Sequence, residues 1–193
     1  MTRAVLLETR ALQIGSAHAL CAPLDLSLAA GELLLVSGDN GVGKSTLLRT
    51  LAGEQAPLAG QLLTHGSPRI RHLPQHAGQQ LSGPFSVADL LRLNGQGDLQ
   101  HPWVPAQRRQ RVDRLSGGQR QRLLLAMLLS QPGDLLLLDE PGQYLDQTSQ
   151  AQLQDWLAEP TAALGLAAVV MVSHDRLNFP RAQRLHLQGL ADG

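Results

Sequence analysis

Continuous apolar runs, rather than alternating ones, set the pattern of this chain. Leu33-Leu34-Leu35-Val36, Leu135-Leu136-Leu137-Leu138 and Ala168 to Val172 carry an apolar side chain at every position. That is the pattern of strands whose two faces are both covered by helices in a parallel sheet. Two shorter segments differ. Ala4 to Leu7 and Leu24 to Leu28 read as short strands, and the second alternates Leu24, Leu26 and Leu28 with Asp25 and Ser27, which predicts an antiparallel edge. A last strand is expected at Arg184 to Leu187.

The helical signals fall between these runs. Ser45 to Leu51 has helical character and Gly53 stops it. From Gln75 to Leu115 the texture changes, with Gly78, Gly83, Pro84, Gly95, Gly97, Pro102 and Pro105 punctuating two short helices. Ser86-Val87-Ala88-Asp89 has capping-box spacing and starts one of them, Ser86 to Leu93; the other is expected at Ala106 to Arg114. A third helix begins inside Leu115-Ser116-Gly117-Gly118-Gln119 and runs to about Ser130, where Pro132 and Gly133 end it. The expectation is one α/β domain over residues 1–193: a mostly parallel sheet covered by helices, with an antiparallel β edge, a core formed by 1–74 and 115–193, and a small helical lobe inserted over 76–114.

Composition narrows the class. A chain of 193 residues can bury a sizeable core without crosslinks, and the single Cys21 has no partner for a disulfide, so it reads as a small buried apolar residue of a protein kept in a reducing cytoplasm. Sixteen basic and sixteen acidic residues cancel, leaving no global field to attract nucleic acid or an anionic membrane. The N-terminus has Glu8 too early and an apolar run too short for a secretory signal. Leu123 to Leu129 and Ala167 to Val172 are far below the roughly 18 residues that cross a bilayer.

Chemistry enters with Gly38-Asp39-Asn40-Gly41-Val42-Gly43-Lys44-Ser45-Thr46, which fits G-x-x-x-x-G-K-[ST] between a strand and a helix. Gly38, Gly41 and Gly43 let backbone N–H groups turn inward around phosphates, beside Asn40, and the helix presents its positive end to the same charge. Lys44 neutralises the β and γ phosphates, Ser45 offers its hydroxyl to Mg²⁺, and in proteins of this pattern Thr46 contacts the α phosphate. Asp139 ends the four-leucine strand at the carboxyl edge of the sheet, where open α/β folds bind ligands, and suits a water-mediated Mg²⁺ contact. Glu140, one residue on, would face the attacking water as general base or orienting group.

Five motifs in this order, the phosphate loop, Gln75, Leu115-Ser116-Gly117-Gly118-Gln119, Leu138-Asp139-Glu140 and Ser173-His174-Asp175, make the chain resemble the ATP-binding cassette (ABC) ATPases, a P-loop NTPase family. The resemblance implies ATP and Mg²⁺ as ligands. It implies that Gln75 joins Mg²⁺ and attacking water to the lobe, and that His174 contacts the γ phosphate. It also implies that Ser116, Gly117, Gly118 and Gln119 bind the γ phosphate held by a second cassette, so that two ATP are sandwiched head to tail, and that Tyr144-Leu145-Asp146 crosses that interface with Asp146 near the nucleotide. Arg108, Arg109, Arg111, Arg114, Arg120 and Arg122 flank the signature motif, as a solvated surface, as added field for the partner's nucleotide or as a contact for a partner protein.

The resemblance runs from about Val5 to Leu187, with no appended domain expected. The roughly 40 residues between Gln75 and the signature motif leave no space for the long coiled coils of chromosome-maintenance relatives. One departure concerns the base: the family stacks adenine on an aromatic ring before the second strand, whereas no Phe, Tyr or Trp precedes Phe85. His18 is the stand-in by spacing, or a solvent-exposed spacer. Three functions compete. The first is the ATPase subunit of a transporter, peripheral on the cytoplasmic face of a membrane, driving a separate polytopic permease and binding no nucleic acid. The second is a soluble ABC protein acting on ribosomes or nucleic acid. The third, a cassette that binds ATP without turnover, sits poorly with intact Lys44, Asp139, Glu140 and His174.

Overall fold

A computed structural model describes residues 4–158, 167–173 and 179–190. Among the described residues, eight strands form two sheets. The larger has the order β5-β6-β7-β3-β8, built from β3 (Leu33–Gly38), β5 (Ile70–Leu73), β6 (Leu135–Asp139), β7 (Ala168–Val172) and β8 (Gln183–Leu187), all paired in parallel. The smaller is antiparallel, in the order β2-β1-β4, from β1 (Val5–Gln13), β2 (Leu24–Ala29) and β4 (Ala59–Thr64). The antiparallel strands thus make a sheet of their own rather than an edge of the parallel one.

The period of two explains the unbroken apolar runs. Leu33, Leu35, Leu136, Leu138, Val169 and Met171 face one core, shared with the lobe and two helices. Leu34, Val36, Leu135, Leu137, Ala168, Val170 and Val172 face the other, shared with helix α1 (Lys44–Leu51) and the antiparallel sheet. Neighbouring residues on each strand serve opposite cores, which is why every position in these runs is apolar. Cys21 is a free thiol buried in this second core, and burial pushes its pKa up.

Between β5 and α4 (Gly117–Leu129) lie α2 (Ala77–Gln80) and α3 (Val87–Leu93). The capping box at Ser86 is present, with Ser86 N–H donating to Asp89 Oδ2 at 3.0 Å and Asp89 N–H donating to Ser86 Oγ at 3.2 Å. The helix expected over Ala106 to Arg114 is not formed; only Val112–Arg114 makes a single 3-10 turn. The backbone there is engaged elsewhere: Val87 and Ala88 N–H donate to the carbonyls of Gln110 and Arg108, and Val112 N–H to that of Phe85. These bonds close the N-terminus of α3, whose first N–H groups have no intrahelical acceptor. Pro102 to Ala106 is anchored instead by Trp103, which packs on Trp156 with ring centroids 4.6 Å apart and planes tilted by 57°, and donates from its indole at 2.8 Å to Gln152 of α5 (Gln147–Ala158).

Candidate functional site at the carboxyl edge of the parallel sheet

Parallel pairing brings the ends of five strands to one edge. Leu73 is in register with Leu138, Asp139 with Val172, and Leu187 with Gly38. Gln75, two residues beyond β5, Asp139 and Glu140 at the end of β6, and the phosphate loop after β3 therefore lie along one edge of the sheet. His174, one residue past Ser173, lies outside the described residues.

The phosphate loop turns through Gly38, Gly41 and Gly43, with φ of 143°, 83° and 102°. Gly43 also packs where a Cβ would meet Ile14 and Leu20 side-chain carbons at 3.0–3.2 Å. Here α1 starts, and the N–H groups of Lys44, Ser45 and Thr46 in its first turn have no intrahelical acceptor. Lys44 is buried, its ammonium donating at 2.8 Å to the carbonyls of Gly38 and Asp39. Cationic side chain and free amides together make an anion site.

Asp139 is 3% exposed and its Oδ1 has no hydrogen-bond partner. Burial raises its carboxyl pKa and the Glu140 charge adds to this, while the Ser45 hydroxyl, which bonds to it, and the Lys44 charge hold it down. A buried, partly unsatisfied carboxylate is costly, and a hard divalent cation with oxygen ligands would complete it. The Ser45 hydroxyl, Asp139 and the half-buried Gln75 supply that donor type, so the residues fit Mg²⁺.

Glu140 adopts φ of 50°, a left-handed conformation uncommon for a residue with a side chain, and its N–H donates to Val172 at 3.0 Å. The turn after it is held from two sides. Gln150 donates to the carbonyls of Gly142 and Leu145, and buried Gln121 of α4 donates at 3.2 Å to that of Pro141. Such strain persists where the surroundings over-determine it.

Ser116 caps α4, its hydroxyl accepting from Gln119 N–H at 3.2 Å while Gln119 Oε1 accepts from Ser116 N–H at 2.8 Å. This start of α4 packs on the turn after Glu140: a Cβ at Gly118 would lie 2.7 Å from the Tyr144 carbonyl oxygen, whereas one at Gly117 would meet nothing. Among the described residues, no hydrogen bond joins Ser116–Gln119 to the phosphate loop of the same chain. Asp146 caps α5 by accepting from Ser149 N–H at 2.8 Å and pairs with Arg122 at 3.2 Å, contacts that lower its pKa. Arg111 pairs with Asp113, and Arg108 donates to the Leu99 carbonyl, so the arginine cluster is partly structural. A cleft of about 650 Å³ is lined by Gln119, the Arg122–Asp146 pair and Trp103.

Sequence reasoning missed Gln121 and Gln150, which hold the turn after Glu140 through bonds to its carbonyls.

The pattern of the family described as ABC transporter matches residues 21–143. The zinc import ATP-binding protein ZnuC of Yersinia enterocolitica is 38% identical over 160 residues, 79% of this chain and 63% of that protein. Its counterparts from Marinobacter nauticus and Acinetobacter baylyi are 35% and 36% identical over 158 residues, 79% of this chain and 61% of each. The chain therefore spans under two thirds of the length of these curated relatives. Among solved structures, a metal-chelate type ABC transporter in an inward-facing conformation aligns with TM-score 0.73 at 27% identity, over 96% of this chain and 80% of that one. An ABC transporter-type ATP-binding protein from Pyrococcus furiosus shares the fold, with TM-score 0.77 at 22% identity over 94% of this chain and 96% of that one.

Proposed function

The chain belongs to the ABC transporter family as an ATP-binding domain, and from that premise we propose that it hydrolyses ATP to drive a separate polytopic permease from the cytoplasmic face of a membrane. No helix among the described residues is long and apolar enough to cross a bilayer, so in this reading the membrane path belongs to another chain. The relatives named for zinc import make metal ions the first cargo to test.

One observation carries the reading: within a single chain the phosphate loop and the capped Ser116–Gln119 segment are both built, yet share no hydrogen bond. Two half-sites on one chain suit two copies closed head to tail, each giving its phosphate loop to one ATP and its signature segment to the other. Lys44 and the first-turn amides of α1 then bind the β and γ phosphates, and Ser45, Asp139 and Gln75 hold Mg²⁺. When bound, the cation neutralises charge on the β and γ oxygens. Glu140, presented by its strained turn, orients the attacking water, and His174 reaches the γ phosphate. ATP drives closure only by binding the closed pair more tightly than the open one.

The test is affinity capture of Glu140→Gln protein from detergent-solubilised cells with ATP and Mg²⁺. A polytopic membrane protein in the complex supports the transporter subunit. Ribosomal proteins in its place would overturn it in favour of a soluble ABC protein, the reading the relatives' names disfavour.

A further inference from the structure

Two buried polar atoms without partners lie on neighbouring strands: Oδ1 of Asp139 and Nε2 of His72. His72 of β5 is in register with Leu137 of β6. Paired residues in a parallel ladder share a face, and Asp139, two residues beyond Leu137, shares it too. This is the face that α1 covers, since Leu135 and Leu137 pack with Leu47, Leu48 and Leu51. The His72 side chain is 5% exposed, and its Nδ1 lies 2.9 Å from Oε1 of Glu54, three residues past the end of α1. A carboxylate only accepts, so Nδ1 carries the proton and donates it to Glu54. In the neutral ring Nε2 is then a bare acceptor, fixed in place by the carboxylate behind it.

We propose that Glu54 and His72 form a positioning pair for the divalent cation of the nucleotide, with His72 Nε2 accepting a hydrogen bond from a water molecule bound to the cation that Ser45 and Asp139 hold. The inference rests on the Mg²⁺–ATP reading above and adds two residues to it. Its logic is that of a histidine braced by a carboxylate at a metal site, displaced outward by one water. It also accounts for a histidine inside an otherwise apolar core face: the ring's second nitrogen would be an unsatisfied buried group unless the loaded site supplied a donor. His72 touches neither nucleotide nor cation directly and is not a catalytic residue.

The test uses the full chain loaded with a non-hydrolysable ATP analogue, with Mn²⁺ affinity followed by electron paramagnetic resonance. Glu54→Ala and His72→Phe are each expected to weaken Mn²⁺ binding about tenfold, with metal-free analogue binding unchanged and the double variant no weaker than either single one. In the metal-free protein, ¹⁵N spectra of the imidazole should show a single Nδ1–H tautomer that Glu54→Ala converts to a mixture. Glu54 is exposed on one side, so Glu54→Ala carries the test if His72→Phe fails to fold. Unchanged Mn²⁺ affinity in Glu54→Ala, or losses that add in the double variant, would overturn the pair while leaving the ATPase reading standing. A parent protein that binds no Mn²⁺ with the analogue would overturn both.

Discussion

The Lys44 side chain folds back on the loop that carries it, its ammonium donating at 2.8 Å to the carbonyl oxygen of Gly38. The same group donates to the Asp39 carbonyl, so the lysine organises the loop and supplies the charge for phosphate. Hydrogen bonds to charged groups contribute about 1.5–3 kcal/mol each. Lys44→Met should therefore lower ATP affinity about 10- to 100-fold by calorimetric titration and also lower the thermal midpoint of the ligand-free protein. ATP affinity within twofold of the parent would contradict this role.

Asp139 gives a pH prediction. Its folded carboxyl pKa is raised above the ordinary 3.8, mainly by burial. Between that raised value and 3.8 the folded chain binds a proton that the unfolded chain does not, so metal-free protein gains stability as pH falls through this window. At neutral pH the ionised Asp139 is a burden on the fold. Asp139→Asn should thus be more stable than the parent in chelator at pH 7, and the advantage should shrink as pH approaches 3.8. Denaturant unfolding across that range checks it, and a constant or growing advantage on acidification would refute it.

Gly117 and Gly118 are adjacent but predict opposite failures. A Cβ at Gly118 would press within 2.7 Å of the Tyr144 carbonyl, whereas Gly117 faces open space. Gly118→Ala should destabilise the fold by about 1–3 kcal/mol. Gly117→Ala should leave stability unchanged or raise it by up to about 1 kcal/mol, yet reduce ATPase activity, because in the proposed head-to-tail pair the added methyl would face the second cassette's nucleotide. Thermal melts and steady-state hydrolysis on the two variants separate these effects; full activity in Gly117→Ala would speak against the shared site.

Base recognition is the next expectation. His18 is exposed in the turn between Gly15 and Ala19, which form a bridge, and no Phe, Tyr or Trp precedes Phe85. Without the ring, stacking worth about 1–3 kcal/mol is absent. ATP and GTP should bind within about threefold of each other, and His18→Trp should strengthen both; a tenfold preference for ATP in the parent would contradict it.

Legibility in the sequence followed how each residue earns its place. The strands β3, β6 and β7 were readable because both their faces are apolar cores. β5 was not, because Ile70-Arg71-His72-Leu73 carries two polar side chains whose partners are remote: Arg71 donates to the carbonyls of Leu128 in the last turn of α4 and of Gln131 and Pro132 beyond it, and His72 meets Glu54. α5 hid for a similar reason, with only Ser149, Leu153 and Leu157 buried along a glutamine-rich helix. The stretch Ala106 to Arg114 was misread because its carbonyls serve α3 across a tertiary contact. Of the site, the phosphate loop and Asp139-Glu140 were legible as contiguous motifs, whereas Gln121 and Gln150 act by bonds to carbonyls of the Glu140 turn that no local pattern encodes.

The most direct measurement of the central claim is the mass of Glu140→Gln protein by light scattering, without nucleotide and with ATP and Mg²⁺. The account predicts a monomer that becomes a dimer holding one ATP per chain, and a return to monomer when Ser116→Arg is added. A monomer under both conditions, with ATP bound, would contradict the shared site.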